Sequence, residues 1–129
     1  MPNQPSISDA EWDVMEALWA ESPLTANDVI ERIGKRNDWN PRTVKTLLNR
    51  LVKKRALGFE AEGKRYHYFP KVTKADCVRS RTRSFLASVF GGAVGPMLAH
   101  FVSEAPLTPE EIRELKKMLD RREKKGKQP

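Results

Sequence analysis

The chain has 129 residues and a formal net charge of +7 at pH 7. That length accommodates one compact domain, or one small domain with an oligomerising appendage, and it excludes two large domains. Residues 1–39 hold more acidic than basic side chains, so the bases that give the chain its charge lie from Asn40 onward. A basic surface of this kind predicts a polyanionic partner, and nucleic acid is favoured over an anionic membrane.

Cysteine usage and the N-terminal residues favour a cytoplasmic location. Cys77 is the only cysteine, so the chain cannot form an internal disulfide or a cluster of thiolate ligands. The stretch MPNQPS has neither the basic start nor the apolar run of a signal peptide, and secretion is not expected.

No pattern in the sequence predicts an enzyme, a metal site or a cofactor. A glycine-rich phosphate loop, a nucleophile elbow and an H-E-x-x-H zinc pair are all missing from the sequence. His67, Cys77 and His100 are far apart in sequence, and a site that folding would assemble from them is open but disfavoured. We expect a binding protein that is not an enzyme, with no cofactor and no metal.

Two helices are predicted in the acidic N-terminal part. Ser8 and Glu11 have the spacing of a capping box, which starts a helix over about residues 9–21. The same spacing recurs in LTANDVIERIG and starts a second helix, which we expect Gly34 to end.

A third helix is predicted from Asn40, the N-cap residue, with Pro41 in the first helical position, where a missing N–H costs nothing. Its apolar residues recur every three or four positions and form one side. The other side holds Lys, Arg, Thr and Asn, whose side chains can bind the phosphate oxygens and base edges of a DNA groove. A merely solvated face would mix charge signs, because like charges four apart weaken a helix. The candidate DNA contacts here are Arg42, Thr43, Lys45, Thr46, Asn49, Arg50 and Lys53, and the candidate core residues are Val44, Leu47, Leu48 and Leu51.

The periodicity changes after the third helix. GFEAEGKRYHYFP predicts strands over residues 57–62 and 65–69, joined by a tight turn at Gly63. The order helix, helix, basic helix, hairpin predicts a winged helix-turn-helix, whose third helix enters the major groove while the hairpin tip lies over the backbone. Lys64 and Arg65 at the tip are therefore candidate DNA contacts.

The aromatic run Tyr66, His67, Tyr68, Phe69 in this hairpin has two interpretations. Alternate side chains close the core beneath the wing, or the rings stack on bases. We favour the first.

Three more helices are predicted in the C-terminal part. The first starts at the Thr73 cap and runs to the Gly91-Gly92 break, a short apolar helix follows Pro96, and Thr108 caps a last helix that reaches about Arg122. The fold class is thus mainly α with a small β hairpin, a winged helix-turn-helix followed by a helical dimerisation region.

The expected organisation has three parts: a winged-helix DNA-binding domain over 1–72, a helical dimerisation region over 73–122 and a basic, disordered tail over 123–129. The stretch between Arg83 and Glu104 carries no formal charge. Its glycines and proline argue against a membrane span and favour a subunit interface. The candidate interface residues are Val78, Phe85, Leu86, Val89, Phe90, Met97, Leu98, Phe101, Ile112, Leu115 and Leu119.

The stretches TANDVIERI, WNPRTVKTLLNRLVKK, GFEAEGKRYHYFP and RSFLASVFGG resemble the bacterial penicillinase-repressor and methicillin-resistance-repressor family, the BlaI/MecI type. The resemblance covers about residues 7–119. It implies a homodimeric winged-helix repressor on an inverted-repeat DNA operator, with a helical C-terminal part that holds the subunits together. It also implies a sensor protease system, whose activation leads to cleavage of the repressor in that part.

Two departures from the family pattern bear on regulation. The bond that is cut in this family is typically Asn-Phe, and the matching position here is His100-Phe101, so cleavage at this bond stays open. Related copper-responsive repressors carry a C-terminal cysteine cluster, and this chain has none there, so copper sensing by that route is not expected.

Two other functions stay open on the sequence alone. A basic protein could bind RNA or a membrane surface without sequence choice, and a winged helix could serve only to pair proteins. A preference for a palindromic duplex over a random one would exclude the first, and DNA affinity at low salt would exclude the second. We expect a sequence-specific transcriptional repressor.

Overall fold

The computed structural model describes residues 4–127, which form two units, one ending at Ser84 and the other beginning at Phe85. The first unit contains three helical segments, a three-stranded antiparallel sheet and the start of a fourth helix. In chain order its elements are α1 (Asp9–Ala20), β1 (Leu24–Thr25), α2 (Ala26–Val29, continued by a wider π turn, Ile30–Gly34), α3 (Pro41–Lys53), β2 (Leu57–Glu62), β3 (Arg65–Pro70) and the first part of α4 (Lys74–Phe90).

The predicted caps start the helices where the sequence placed them. In α1 the Ser8 hydroxyl accepts from Glu11 N at 3.2 Å, and the Glu11 carboxylate accepts from Ser8 N at 2.8 Å. The Asn40 side-chain oxygen accepts from Thr43 N at 2.9 Å and caps α3. These bonds satisfy N–H groups that have no partner within the helix.

Gly34 is the last residue of the second helical segment, as predicted, but it is not the residue that reverses the chain. The left-handed conformation lies at Asp38, with φ of 56°. An aspartate tolerates this region because its short side chain bonds locally.

The sheet has the order β1-β3-β2, and the predicted hairpin is its larger part. Gly63 at the tip has φ of 63°, as the tight turn requires. The two-residue strand β1 was not predicted, because a segment this short shows no alternation in the sequence. It pairs Leu24 with Tyr68 and Thr25 with His67.

The core of the first unit includes the start of α4. Cys77 is 3% exposed, and the indole N–H of Trp19 donates to the carbonyl of Val72 at 3.0 Å. The expected domain boundary after residue 72 therefore moves into α4, because the first turns of that helix pack against α1.

The second unit comprises the end of α4, α5 (Val94–Glu104) and α6 (Pro109–Lys127). Helix α5 starts two residues before Pro96, not after it, because a proline in the first turn lacks only an N–H that has no partner within the helix. Helix α6 starts at its Thr108–Glu111 capping box, as predicted.

The tail was expected to be disordered from residue 123, but residues 123–127 continue α6. Glu123, Lys124 and Lys125 are good helix formers, and bases suit the negative end of the helix dipole. Residues 128 and 129 of the expected tail lie outside the described residues.

No single helix among residues 4–127 is long and apolar enough to cross a membrane. Helices α4 and α5 pass that test together, by length and composition only, and are sharply bent at the break between them.

Candidate nucleic-acid interface

Helix α3 has two faces that differ in burial, as its sequence predicted. Its apolar side is packed into the core: Val44, Leu48 and Leu51 are 0% exposed and Leu47 is 5% exposed. Its polar side faces solvent, and the exposed residues are Arg42, Lys45, Thr46, Asn49, Arg50 and Lys53. Thr43, the remaining candidate on this helix, is half-buried, and its backbone N–H and hydroxyl both bond to the Asn40 side chain.

The two basic residues that follow α3, Lys54 and Arg55, have other roles. The Lys54 ammonium donates to the Glu11 carboxylate at 2.6 Å and to the Ser6 carbonyl at 2.7 Å. Arg55 takes the left-handed conformation that ends the helix, with φ of 66°. The positive face of α3 is therefore made by Arg42, Lys45, Arg50 and Lys53, and within residues 4–127 none of these forms a salt bridge.

A cavity of about 280 Å³ separates α3 from the wing. It brings Lys45 and Asn49 of α3 together with Lys64 and Arg65 of the wing tip, so four of the predicted contacts line one surface. Arg42, Thr46, Arg50 and Lys53 lie on the exposed side of α3 without lining this cavity, and Thr43 is half-buried. The full lining is Thr25, Ala26, Asn27, Lys45, Asn49, Lys64, Arg65, Tyr66 and Tyr68.

Sequence reasoning missed Asn27 at this surface and offered Tyr66 only through the disfavoured interpretation of the aromatic run. Both are exposed, and both line the cavity. Asn27 lies in the first turn of α2, and the local sequence there indicates only the start of a capped helix. Its place beside the wing depends on how β1 and β3 pair, which the sequence did not reveal.

One tyrosine of the wing closes the core, as the favoured interpretation predicted, and another does not. Tyr68 is 7% exposed and closes the core beneath the wing, and burial raises the pKa of its phenol, with a further contribution from Tyr66. Tyr66 lies at the start of β3, beside the turn, and does not reach the core. It is 46% exposed and stacks instead on Phe59, with centroids 4.4 Å apart.

The arginines at the start of α4 are engaged within the chain. Arg79 pairs with Asp76 at 2.8 Å. Arg81 bonds to Asp9, and its guanidinium lies 5.2 Å from the centre of the Trp12 ring. Arg81 is therefore committed to α1, whereas Arg83 is exposed.

Cys77, His67 and His100 do not form a metal site. Among residues 4–127 no three His, Cys, Asp or Glu side chains lie close enough together to hold a metal ion. Burial raises the pKa of the Cys77 thiol, and the charge of Asp76 adds to this, so the thiol is a small apolar core group.

The candidate interface residues mostly lie uncovered in the single chain. In the second unit, Phe85, Val89, Leu98, Phe101, Ile112, Leu115 and Leu119 are each more than a third exposed, while Leu86, Phe90 and Met97 are half-buried. Val78, in the first unit, is 44% exposed. His100 and Phe101 lie inside α5, and both are exposed.

A capped three-helix core, a basic third helix and a basic hairpin tip across a cavity define a winged helix-turn-helix protein of the DNA-binding class. The chain belongs to the penicillinase repressor family, whose sequence model matches residues 7–121. It is 35% identical to the penicillinase repressor of Bacillus licheniformis over 99% of this chain and 100% of that one. It is 33% identical to the methicillin resistance regulatory protein MecI of Staphylococcus aureus (strain N315), over 90% of this chain and 94% of that protein.

Two solved structures resemble the first unit. One is the solution structure of the DNA-binding domain of the repressor BlaI, with a TM-score of 0.53 and 41% identity, covering 59% of this chain and 93% of that one. The other is the monomeric form of the Bacillus licheniformis BlaI in complex with the blaP half-operator, with a TM-score of 0.52, the same identity and the same coverage.

Proposed function

We propose that this chain is a transcriptional repressor that binds an inverted-repeat DNA operator as a homodimer. The observation that carries the proposal is the division of α3 into a buried apolar side and an exposed side. The exposed side holds Thr46, Asn49 and four basic residues that form no salt bridge within the described part of the chain. Side chains of these types bind phosphate oxygens and base edges. Membership of the penicillinase repressor family and the half-operator complex of the related BlaI support the same function.

The wing completes the surface that the proposal needs. Lys64 and Arg65 lie across the cavity from Lys45 and Asn49. A duplex with α3 in its groove would therefore have basic side chains of the protein on both sides of the cavity. Asn27 and Tyr66 add polar groups to the same surface. An interface of this composition binds duplex DNA rather than catalysing a reaction, and it acts on the chromosome in the cytoplasm.

The homodimer is supported by the second unit. Its helices leave Val89, Val102, Met118 and Leu119 each more than half exposed, which is unusual for side chains of a stable monomer. A second copy of the chain would cover these side chains and place two α3 helices on one duplex.

The regulated genes are assigned from the relatives. Those proteins are named as a penicillinase repressor and as a methicillin resistance regulatory protein. We propose that this chain likewise controls antibiotic-resistance genes.

Release from DNA is proposed to follow cleavage at His100-Phe101, within the second unit, by a sensor protease system. Helix α5 has no side-chain N-cap and no buried residue in the single chain, so it opens readily for a protease that needs an extended substrate. The cut would separate α6 from α4, and the two half-sites would then be bound independently. Mass spectrometry of the protein from β-lactam-treated cells tests this: a fragment ending at His100 supports it, and intact protein during full induction overturns it.

Selection of DNA duplexes from a random-sequence pool tests the main proposal. The wild-type chain is expected to enrich a sequence with dyad symmetry. Enrichment of no sequence would show that the chain binds without choice, and enrichment of an asymmetric sequence would exclude the homodimeric mode.

A further inference from the structure

Glu11 is the most deeply buried charged residue that the structure describes. Its side chain is 1% exposed, and no other charged residue within residues 4–126 is buried. A buried carboxylate is costly unless it is paired and fully hydrogen-bonded. The buried Glu11 carboxylate in the first turn of α1 therefore indicates a specific structural role.

The partners of Glu11 connect the start of α1 to the end of α3. The carboxylate oxygen Oε1 accepts from the Ser8 backbone N–H at 2.8 Å and from the Lys54 ammonium at 2.6 Å. The same ammonium donates to the Ser6 carbonyl at 2.7 Å. Lys54 is the C-cap residue of α3, directly after the last exposed base of the DNA-facing side.

Helix capping alone does not account for this arrangement. The chain has two further capping boxes, Thr25 with Asp28 and Thr108 with Glu111, and their acids are not buried. Among the described residues, each of these acids hydrogen-bonds only to its cap residue. The burial of Glu11 and its bond to Lys54 are additional to the cap.

Packing of the apolar side restricts the angle of α3, and the contacts of Lys54 add a directional constraint at its C-terminal end. Packing of Val44, Leu48 and Leu51 excludes water from the core, but the hydrophobic effect is non-directional. Charge-assisted hydrogen bonds are short and directional, and they hold the C-terminal end of α3 at a defined place on α1. A small tilt there moves every base-reading side chain of the helix.

We propose that Glu11, acting through Lys54, is a positioning residue that sets the angle of α3 and thereby the sequence choice of the protein. The inference rests on the proposed DNA-binding function. Glu11 itself touches no DNA in this account, and Lys54 contributes no phosphate contact because its ammonium is bonded to Glu11 and Ser6.

The test compares Glu11→Gln with Glu16→Gln. The first variant keeps an acceptor oxygen for Ser8 N but removes the charge that faces Lys54. The second makes the same charge change on the same helix, in an exposed pair with Lys74 at 3.1 Å that does not involve α3. The probes are the duplex that the wild-type chain selects from a random pool and a scrambled duplex of equal length, and the readout is the ratio of the two affinities.

Glu11→Gln is expected to lower this ratio about tenfold, the discrimination of one well-aligned base contact, with the scrambled duplex bound as before. Glu16→Gln should change it by less than about twofold, as expected for an exposed pair. Lys54→Met is the second variant, in which Glu11 can still accept from Ser8 N. It should lower the ratio equally while leaving the slope of log K against log salt unchanged, because no phosphate contact is lost.

The inference is overturned if the folded variants keep the wild-type ratio, or if they weaken both duplexes equally, since a loss of stability alone acts on both. Should Glu11→Gln melt below the assay temperature, the double variant Glu11→Gln/Lys54→Met, which leaves no unpaired buried carboxylate, decides by its ratio and salt slope. A wild-type chain without preference for any duplex would overturn the proposed function itself, and this inference with it.

Discussion

The ring of Tyr66 stacks on the ring of Phe59 across the wing, with centroids 4.4 Å apart and ring planes at 27°. The two residues are not direct partners in the hairpin, because Tyr66 faces Ala61 and Phe59 faces Tyr68. The stack is therefore diagonal, and it braces the exposed part of the hairpin that carries Lys64 and Arg65.

We expect Tyr66→Ala to lower the free energy of unfolding by about 1 kcal/mol, the contribution of a stacked aromatic pair. Tyr66→Phe keeps the ring and should cost less than about 0.5 kcal/mol, as for a surface substitution. Urea unfolding followed by circular dichroism measures both. Equal losses in the two variants would show that the hydroxyl, not the stack, stabilises the wing.

Gly58 is expected to be required by its contact with Phe69. A Cβ at position 58 would lie 2.7 Å from Cζ of that ring and 3.2 Å from Cδ of Lys71. Gly58→Ala should therefore destabilise the unit by about 1–3 kcal/mol, the cost of overpacking. Thermal unfolding measures this, and Gly58→Ala combined with Phe69→Leu should recover part of the loss.

Gly126→Ala is the control, because a Cβ there meets nothing within 4 Å and the residue lies in a helix. It should be neutral or stabilising by up to about 1 kcal/mol. If Gly58→Ala is as mild as this control, Phe69 swings aside and the close contact has no cost.

Substitutions in the DNA-binding surface should have two different effects, one on sequence discrimination and one on overall affinity. Arg42→Ala or Asn49→Ala is expected to lose about 1–3 kcal/mol of discrimination at particular base pairs, the value of a bidentate contact. Lys64→Ala should weaken all duplexes alike and flatten the salt slope by roughly one unit, because it removes one phosphate contact. Titration of duplexes with single base changes at several salt concentrations distinguishes them. Uniform weakening by Asn49→Ala would assign that residue to the backbone.

A chain truncated after Ser84 should be a folded monomer. The cut keeps Cys77 and the Trp19–Val72 bond, both of which a cut near residue 72 would disturb, and it removes the exposed apolar residues of the second unit. Sedimentation at matched concentrations is expected to give a dimer for the intact chain and a monomer for the truncated one. A dimeric truncated chain, or a monomeric intact chain, would contradict this assignment.

Glu11 should make stability depend on acid pH. Burial raises the pKa of its carboxyl, but the hydrogen bonds from Lys54 and Ser8 outweigh burial and hold the pKa below its ordinary value. A carboxyl with a depressed folded-state pKa stabilises the fold above its unfolded-state pKa, about 4.3 for Glu, and this contribution is lost as pH falls through the folded-state value. The difference in unfolding free energy between wild type and Glu11→Gln should be about 1.5–3 kcal/mol at neutral pH, for one charge-assisted bond, and should shrink in acid. A difference that stays constant with pH would exclude this role of the charge.

The elements of the first unit could be predicted from the sequence because their signals are local. The Ser8–Glu11 box, the Asn40 cap and the glycine at the hairpin tip each act within a few residues, and the apolar spacing of α3 fixes which side it buries. The bounds of α1 and of the hairpin strands, and the start of α3, follow from them to within a residue.

What the sequence could not supply depends on contacts between distant residues. The acid that neutralises Lys54 lies forty-three positions away at Glu11, so the basic segment appeared to carry one more free charge than it does. Strand β1 and the position of Asn27 likewise depend on pairing with β3. The boundary inside α4 follows from the burial of Cys77, which no local pattern indicates.

The measurement that tests the central claim most directly is titration of the intact chain against three duplexes: the selected inverted repeat, one half-site alone, and the repeat with about five base pairs inserted at its centre, half a helical turn. We predict two chains on the inverted repeat and an affinity about a hundredfold above that for either other duplex, because the second half-site is bound at high effective concentration only when both lie on one side of the helix. Equal affinity for the three duplexes would contradict a dimer that reads two half-sites with two α3 helices.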